Sequence, residues 1–162
     1  MRKAKYKIGR SVLSTVNENK IINERNKYFD KVNKKVKFDN LNDTILKSDR
    51  KTLTRILYYN EIYKKSLDRP GVIVEFGVAY GATLSLLSKL RGIYEPYNYG
   101  RKIIGFDTFS GFNSKLNKDE KKIGWRKADY KVSQNYEKHL EKLLLFEELM
   151  SPLSHIKKFE LV

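Results

Sequence analysis

The sequence predicts an α/β fold in which helices cover a parallel sheet. Residues 71–84 have the pattern of a strand, a tight turn with two glycines and the start of a helix. Val72, Ile73 and Val74 form an unbroken β-branched run, which is typical of a strand buried on both faces. A second short apolar run, residues 102–107, also ends in a carboxylate. Two strands that end alike in an acid indicate a ligand site at the carboxyl edge of such a sheet.

The composition indicates one soluble domain with its own core. The chain has 162 residues, of which 40% are hydrophobic, and it contains no cysteine. Disulfides, thiolate nucleophiles and cysteine-based zinc sites are therefore excluded. No apolar run approaches the roughly 20 residues that span a bilayer. No hydrophobic segment follows the basic N-terminus, so we expect a cytoplasmic protein without a secretory signal or a membrane partner.

The net charge of +15 raises the question of nucleic-acid binding. More than half of this excess lies in the first 51 residues, and acids and bases alternate in the remainder. This distribution argues against a designed nucleic-acid surface, although a basic arm that directs a nucleic-acid enzyme stays open as an alternative. Anionic small substrates such as sugar nucleotides would also be attracted to the surface.

The segment before the first strand is predicted to contain two helices. Residues 21–36 are weakly amphipathic, and residues 39–43 form a cluster of turn-forming side chains. A firmer helix is predicted for residues 51–67, with Ser48 or Asp49 as its cap and an apolar stripe that packs on the sheet. We therefore divide the chain into a basic N-terminal arm, residues 1–44, and a sheet domain, residues 45–162.

After the first strand the pattern continues as α-β-α-β. The predicted segments are a helix at 82–91 with Gly92 as its C-cap, an aromatic loop at 93–100, a strand at 102–107, a polar loop at 113–130 held by Trp125, a helix from Ser133 to about Met150, and a strand at 156–162. The aromatic loop lies over a ligand or covers the sheet edge, and we favour the edge. In the last helix, Tyr136, Leu140, Leu143 and Leu144 are predicted to face inward.

The turn after the first strand has the features of a ligand cradle. Gly77 and Gly81 lack a Cβ, so a ligand can approach the backbone there. Their spacing is G-x-x-x-G rather than G-x-G-x-x-G, which disfavours a dinucleotide. S-adenosylmethionine carries an ammonium and a sulfonium that favour a carboxylate such as Glu75, and its own carboxylate suits a helix N-terminus. The alternative is an ordinary turn with a solvated Glu75.

Asp107 strengthens the ligand interpretation. In nucleoside-binding α/β folds, an acid at the end of the second strand accepts hydrogen bonds from ribose hydroxyls. Asp107 follows Gly77 by 30 residues, which is longer than the usual spacing of about 20, and the 93–100 loop would absorb the difference. As an alternative, Asp107 caps the turn formed by the polar residues that follow it.

Two stretches, residues 74–84 (VEFGVAYGATL) and 103–112 (IIGFDTFSGF), together with the helix before them, resemble the TylF/MycF-like macrocin O-methyltransferase family. The resemblance covers residues 45–162 and is strongest to members named dTDP-6-deoxy-L-hexose 3-O-methyltransferases. It implies a Rossmann-like class I methyltransferase that uses S-adenosylmethionine to methylate a hydroxyl of a sugar or sugar nucleotide. The residues that it implies for cofactor binding are Glu75, Gly77, Val78, Ala79, Gly81, Asp107, Thr108 and Phe109.

The chain departs from this family at its C-terminal end. Family members continue into a further strand that bears an aspartate pair implicated in binding metal and acceptor, so the ligands of any Mg²⁺ are not expected in this chain. A β-α-β-α-β unit is half of a doubly wound sheet and leaves the first strand's outer edge open. We therefore expect a truncated enzyme, or one completed by another chain or a second copy. An inactive binding module is the further alternative.

No general base can be assigned from the sequence. His139 and His155 are the only histidines, and both are predicted to lie on the surface. The catalytic residue is therefore left unassigned, and no metal-ligating set is predicted.

Overall fold

The computed structural model describes residues 16–112 and 130–162, with the side chains of the first helix from residue 20 onward. In chain order its elements are α1 (Val16–Asn33), α2 (Asn40–Lys47), α3 (Arg50–Lys64), β1 (Ile73–Phe76), α4 (Ala82–Tyr94), β2 (Ile103–Phe106), α5 (Tyr136–Leu149) and β3 (Phe159–Leu161). The chain divides into two compact units, Met1–Thr54 and Arg55–Val162. The first 15 residues of the predicted arm and nearly all of the polar loop predicted at 113–130, including Trp125, lie outside the described residues.

The first unit contains two helices, α1 and α2, and the start of α3. The sequence predicted a helix in the region of α1 and a turn in the region of α2. The helix predicted at 21–36 is confirmed as α1, which begins and ends earlier. The turn predicted at 39–43 is wrong, because Asp39 is the N-cap of α2 and accepts a hydrogen bond from the Asn42 N–H at 2.8 Å. At the other end of α2, Arg25 donates to the carbonyls of Leu46, Lys47 and Ser48. A cation at a helix C-terminus satisfies carbonyls that lack partners within the helix.

The helix predicted at 51–67 is confirmed as α3. Asp49 caps it by accepting a hydrogen bond from the Thr52 N–H at 2.7 Å. Only part of its apolar stripe packs on the core: Tyr63 is fully buried and Tyr59 packs partly buried against the core, whereas Leu57 is 64% exposed. The prediction that the whole stripe packs against the sheet is therefore wrong.

The sheet is parallel, with the strand order β1-β2-β3. Ile73 of β1 is in register with Ile103 of β2, which is in register with Phe159 of β3. This confirms the predicted β-α-β-α-β unit and its Rossmann-like class. The expectation that β1 is buried on both faces is wrong, because Val74 is 41% and Phe76 80% exposed. Val74 and Phe76 lie on one face of the sheet, and helices α4 and α5 pack on the opposite face.

Helix α4 begins as predicted and presents Leu84, Leu87 and Leu90 to the core. It continues past Gly92 to Tyr94, so Gly92 is not the C-cap. Helix α5 is not capped by Ser133: its N-cap is Asn135, whose φ of 60° lies in the left-handed region. Asparagine tolerates this conformation better than most residues.

Helix α5 buries Leu140 and Leu144 as predicted, and half-buries Tyr136. The inward placement predicted for Leu143 is wrong, since that side chain is 57% exposed. The buried core is formed by Tyr63, Val78, Leu84, Leu87, Leu90, Ile103, Leu140, Leu144 and Phe159. It lies between the covered face of the sheet and these two helices.

A buried ionic network ties α4, α5 and β3 together. Arg91 donates to Glu148 Oε1 at 3.0 Å, and Lys158 Nζ lies 2.9 Å from Glu148 Oε2. All three side chains are at most 3% exposed. Lys158 also donates to the carbonyls of Leu153 and Ile156.

In the described residues, no helix is long and apolar enough to cross a membrane.

Candidate functional site

The carboxyl ends of β1 and β2 meet beside a cavity of about 310 Å³. The two strands end side by side because they are parallel and in register, with Phe76 opposite Phe106. The cavity is lined by Gly77, Ala79, Phe106, Asp107, Thr108, Gly111, Phe112 and Tyr130. Both sequence motifs thus contribute to one site, as their placement at two strand ends predicts.

The two glycines of the turn between β1 and α4 serve different purposes. Gly77 has a φ of 82°, and a Cβ at this position would meet nothing within 4 Å. The backbone is therefore open to a ligand there. Gly81 has a φ of 75°, and a Cβ there would overlap the side chain of Leu140 on α5. Gly81 is thus required for packing of the turn against α5.

Asp107 links the two strand ends through its carboxylate. Its Oδ2 accepts a hydrogen bond from the Ala79 N–H at 2.7 Å, and its Oδ1 accepts one from the Phe109 N–H at 2.6 Å. A carboxylate has about four acceptor positions, so two remain for ligand hydroxyls. The two backbone bonds hold the carboxylate in a single orientation at the cavity.

Asp107 also borders a second cavity, of about 280 Å³. Phe109, Leu161 and Val162 line its apolar side, and Glu137 and Glu141 of α5 line its polar side. Phe109 has a φ of 55°, in the left-handed region. Thr108 lines the first cavity, and its hydroxyl lies 2.9 Å from the Ser110 hydroxyl. Asp107 therefore stands between two openings at the carboxyl edge.

Glu75 is a half-buried carboxyl at the end of β1. Its Oε2 atom is buried and has no hydrogen-bond partner. The pKa of Glu75 is raised from 4.5 to about 7, chiefly by burial and also by the nearby Asp107 charge, against the Arg55 charge and a hydrogen bond from Thr83, which both lower it. A carboxyl with such a pKa changes its charge near neutrality and gains most from a cation placed beside it.

Val78, the remaining predicted site residue, has a side chain directed away from the cavity. It is 4% exposed and belongs to the core cluster, where it packs against the position of Gly105. Only its backbone belongs to the turn that borders the site.

Sequence reasoning missed Arg55, Phe112 and Tyr130 as residues near the site. The rings of Phe112 and Tyr130 meet edge to face with centroids 5.4 Å apart, and both line the first cavity. Phe112 follows Gly111 directly in the second motif, which was a usable signal. Nothing in the local sequence links Tyr130 or Arg55 to this edge.

Helix α4 extends to Tyr94, and the rest of the aromatic loop predicted at 93–100 lies at the opposite, amino edge of the sheet. Arg101, which follows it, forms an ion pair with Glu95 at 3.0 Å and donates to the Gly71 carbonyl just before β1. Tyr63 donates to Glu95 at 2.6 Å, and burial raises the Tyr63 pKa. The loop is therefore anchored at the sheet edge away from the candidate site, while the side chains of Tyr97 and Tyr99 stay exposed.

His139 and His155 are both exposed, as predicted. Among residues 16–112 and 130–162, no group of three or more His, Asp or Glu side chains could hold a metal ion.

The parallel sheet, the glycine turn after its first strand and the acid at the end of its second define a Rossmann-like methyltransferase fold. The chain is similar to the calicheamicin methyltransferase CalS11 in its crystal structure, with 31% identity and a TM-score of 0.80 over 93% of this chain and 59% of that chain. It is also similar to the apo structure of CalS11, a TDP-rhamnose 3′-O-methyltransferase of calicheamicin biosynthesis. There the identity is 28% and the TM-score 0.71, over 93% of this chain and 56% of that chain.

The chain thus spans less than two thirds of the length of these methyltransferases. No protein-family model matches it, and no curated protein does.

Proposed function

We propose that this protein binds S-adenosylmethionine and takes part in O-methylation of a sugar or sugar-nucleotide hydroxyl. The observation that carries the proposal is the Asp107 carboxylate, oriented by the Ala79 and Phe109 amides at a cavity between two strand ends. The similarity to CalS11 supports the same function.

The residues at the carboxyl edge fit this cofactor. The backbone at Gly77 is open, so the methionine part can lie against the turn. Glu75 offers a carboxylate to the ammonium and sulfonium, and Asp107 retains acceptor positions for ribose hydroxyls. When bound, the cofactor supplies an electrophilic methyl group. The chain's own residues orient it and exclude water.

We further assign cofactor contacts to the set predicted from the sequence. These contacts are made by the side chains of Glu75, Asp107, Thr108 and Phe109 and by the backbone of the turn from Gly77 to Gly81. The domain that carries them is taken as residues 45–162, with residues 1–44 as an N-terminal arm. Within this proposal, the macrocin O-methyltransferase family remains the most specific assignment.

A nucleoside-diphosphate sugar is the proposed acceptor. The CalS11 structures support this class, since TDP-rhamnose is the sugar nucleotide in the name of that enzyme. The chain's net charge of +15 also favours an anionic substrate. Within the class, the resemblance of the two motifs points to the 3-hydroxyl of a dTDP-6-deoxy-L-hexose.

Calorimetric titration tests the cofactor assignment. S-adenosylhomocysteine and its analogue without the ribose 2′ and 3′ hydroxyls are titrated into the wild type and into Asp107→Ala. We expect the wild type to bind the analogue about tenfold more weakly, because hydrogen bonds to the charged carboxylate are lost. Asp107→Ala should not distinguish the two ligands. Wild-type protein that binds neither ligand would refute the proposal.

Methyl transfer to the acceptor is tested with radiolabelled S-adenosylmethionine. Label should appear in TDP-rhamnose and not in RNA or DNA. Label in nucleic acid, with a salt-dependent affinity, would instead support a nucleic-acid methyltransferase. Cofactor binding without transfer to either acceptor would identify a binding module.

A further inference from the structure

Arg55 of α3 reaches the start of α4 at the carboxyl edge of β1. Its Nη2 donates to the Thr83 hydroxyl at 2.8 Å, and its guanidinium lies 5.7 Å from the centre of the Tyr59 ring. Thr83 is only 5% exposed, so one end of the guanidinium is anchored on a buried group. The residue as a whole is exposed. A guanidinium has five N–H donors, and Thr83 uses one of them.

Arg55 is also within electrostatic reach of Glu75. The Arg55 charge lowers the Glu75 pKa, and Thr83 forms a hydrogen bond that acts in the same direction. The Thr83 hydroxyl thus stands between a cation and an anion and interacts with both. This bridge does not satisfy the Glu75 carboxyl fully, since Glu75 Oε2 remains buried without a hydrogen-bond partner.

Such an arrangement is complementary to a zwitterion. The amino-acid end of S-adenosylmethionine carries an ammonium and a carboxylate on one carbon. A neighbouring anion and cation can therefore bind both of its charges. Arginine suits the carboxylate because its planar fork can donate two parallel hydrogen bonds.

We propose that Arg55 binds the α-carboxylate of the cofactor while Glu75 lies beside its α-ammonium. This inference rests on the proposed function and adds a residue that neither sequence motif contains. It also explains why a buried, hydrogen-bonded threonine stands at the first turn of α4: Thr83 holds Arg55 in place. A purely structural alternative is that Arg55 only ties α3 to α4.

The two roles are separated by comparing S-adenosylmethionine with decarboxylated S-adenosylmethionine, which keeps the ammonium and lacks the carboxylate. Dissociation constants are measured by calorimetry for the wild type and for Arg55→Met. We expect Arg55→Met to bind S-adenosylmethionine about 10- to 100-fold more weakly, the range for one charge-assisted interaction. Its affinity for the decarboxylated ligand should change far less, because that ligand has no carboxylate for Arg55 to bind.

Two further variants keep the test decisive. Arg50→Met removes an arginine from the same helix and should bind both ligands as the wild type does. Arg55→Lys keeps the charge without the planar fork and should recover part of the affinity for S-adenosylmethionine only. Circular dichroism establishes that each variant is folded.

Each outcome bears on a different claim. If Arg55→Met weakens both ligands equally, or neither, Arg55 does not bind the carboxylate, while the proposed function stands as long as the wild type binds S-adenosylmethionine. If the wild type binds neither ligand, the proposed function fails together with this inference.

Discussion

The Asp107 carboxylate accepts a hydrogen bond from the Ala79 backbone N–H at 2.7 Å, across a separation of 28 residues. This contact joins the end of β2 to the turn that follows β1. The second Asp107 oxygen accepts the Phe109 N–H, so a single side chain fixes the backbone on both sides of the cavity. Asp107 therefore organises the site before any ligand arrives.

Asp107→Asn should destabilise the unliganded protein by about 1–3 kcal/mol, the range for loss of hydrogen bonds to a charged group. The asparagine side chain has one oxygen, so its NH₂ group must face either the Ala79 or the Phe109 backbone N–H, which then loses its acceptor. Urea denaturation gives the free energy of unfolding. Asp68→Asn, at an exposed position, is the control and should change it by less than about 0.5 kcal/mol. Equal effects for both variants would contradict the structural role of Asp107.

Glu75 should make stability depend on pH. Its pKa is raised from 4.5 to about 7 by burial, so between these values the folded state holds a proton that the unfolded state releases. Stability is therefore lost as pH rises through this window. Relative to the wild type, Glu75→Gln should gain about 1 kcal/mol between pH 5 and pH 8, after allowance for solvent screening of a half-buried group. A pH-independent difference in urea denaturation would contradict this prediction.

Gly81→Ala should cost more stability than Gly77→Ala. Both positions have positive φ, which strains an alanine by about 1 kcal/mol or more. Only at Gly81 does the new Cβ overlap Leu140, which should add about 1–3 kcal/mol. The control is the same pair of substitutions in a Leu140→Ala background, where the difference should vanish. A difference that persists there would locate the extra cost elsewhere.

Glu148→Gln should be strongly destabilising, by about 3–5 kcal/mol, because it leaves the buried Arg91 and Lys158 without a counter-charge. The neighbouring Glu147 pairs with Lys89 at 2.7 Å on the exposed side of α5. Glu147→Gln should therefore cost less than about 1 kcal/mol. Thermal or urea unfolding of both variants measures the contrast. Similar values would mean that the buried network contributes no more than a surface pair.

Among residues 16–112 and 130–162, no strand pairs with the outer edge of β1, and this open edge should be visible in amide exchange. Ile73 and Gly77 donate toward β2, so in a parallel ladder the alternate amides of Val74 and Phe76 point to the outer edge. These two amides should exchange quickly, whereas those of Ile104 and Phe106 in the central strand should be protected. Protection of Val74 and Phe76 in a monomer would contradict the expectation that a further strand or a second chain is needed to cover this edge.

Local pattern in the sequence was sufficient for the order of the elements from α3 to β3, for the glycine turn and for the acids at the ends of β1 and β2, but it missed α2. These features depend on residues within a few positions of one another. Helix boundaries were less predictable. Asp39 caps α2 through its side chain, and Asn135 begins α5 with a left-handed backbone conformation. Asp and Asn are also common in turns, so the sequence around them does not tell a helix start from a loop.

Tertiary structure decided what each residue of the site does. Gly81 is required by Leu140, Val78 belongs to the core, and Asp107 holds the Ala79 amide. The contact of Arg55 with Thr83 spans 28 residues and depends on how α3 packs beside α4. Contacts of this kind follow from the stacking of whole elements. The sequence by itself therefore determined the glycine turn and the acids at two strand ends, while packing determined which side chains line the cavity between them and which belong to the core.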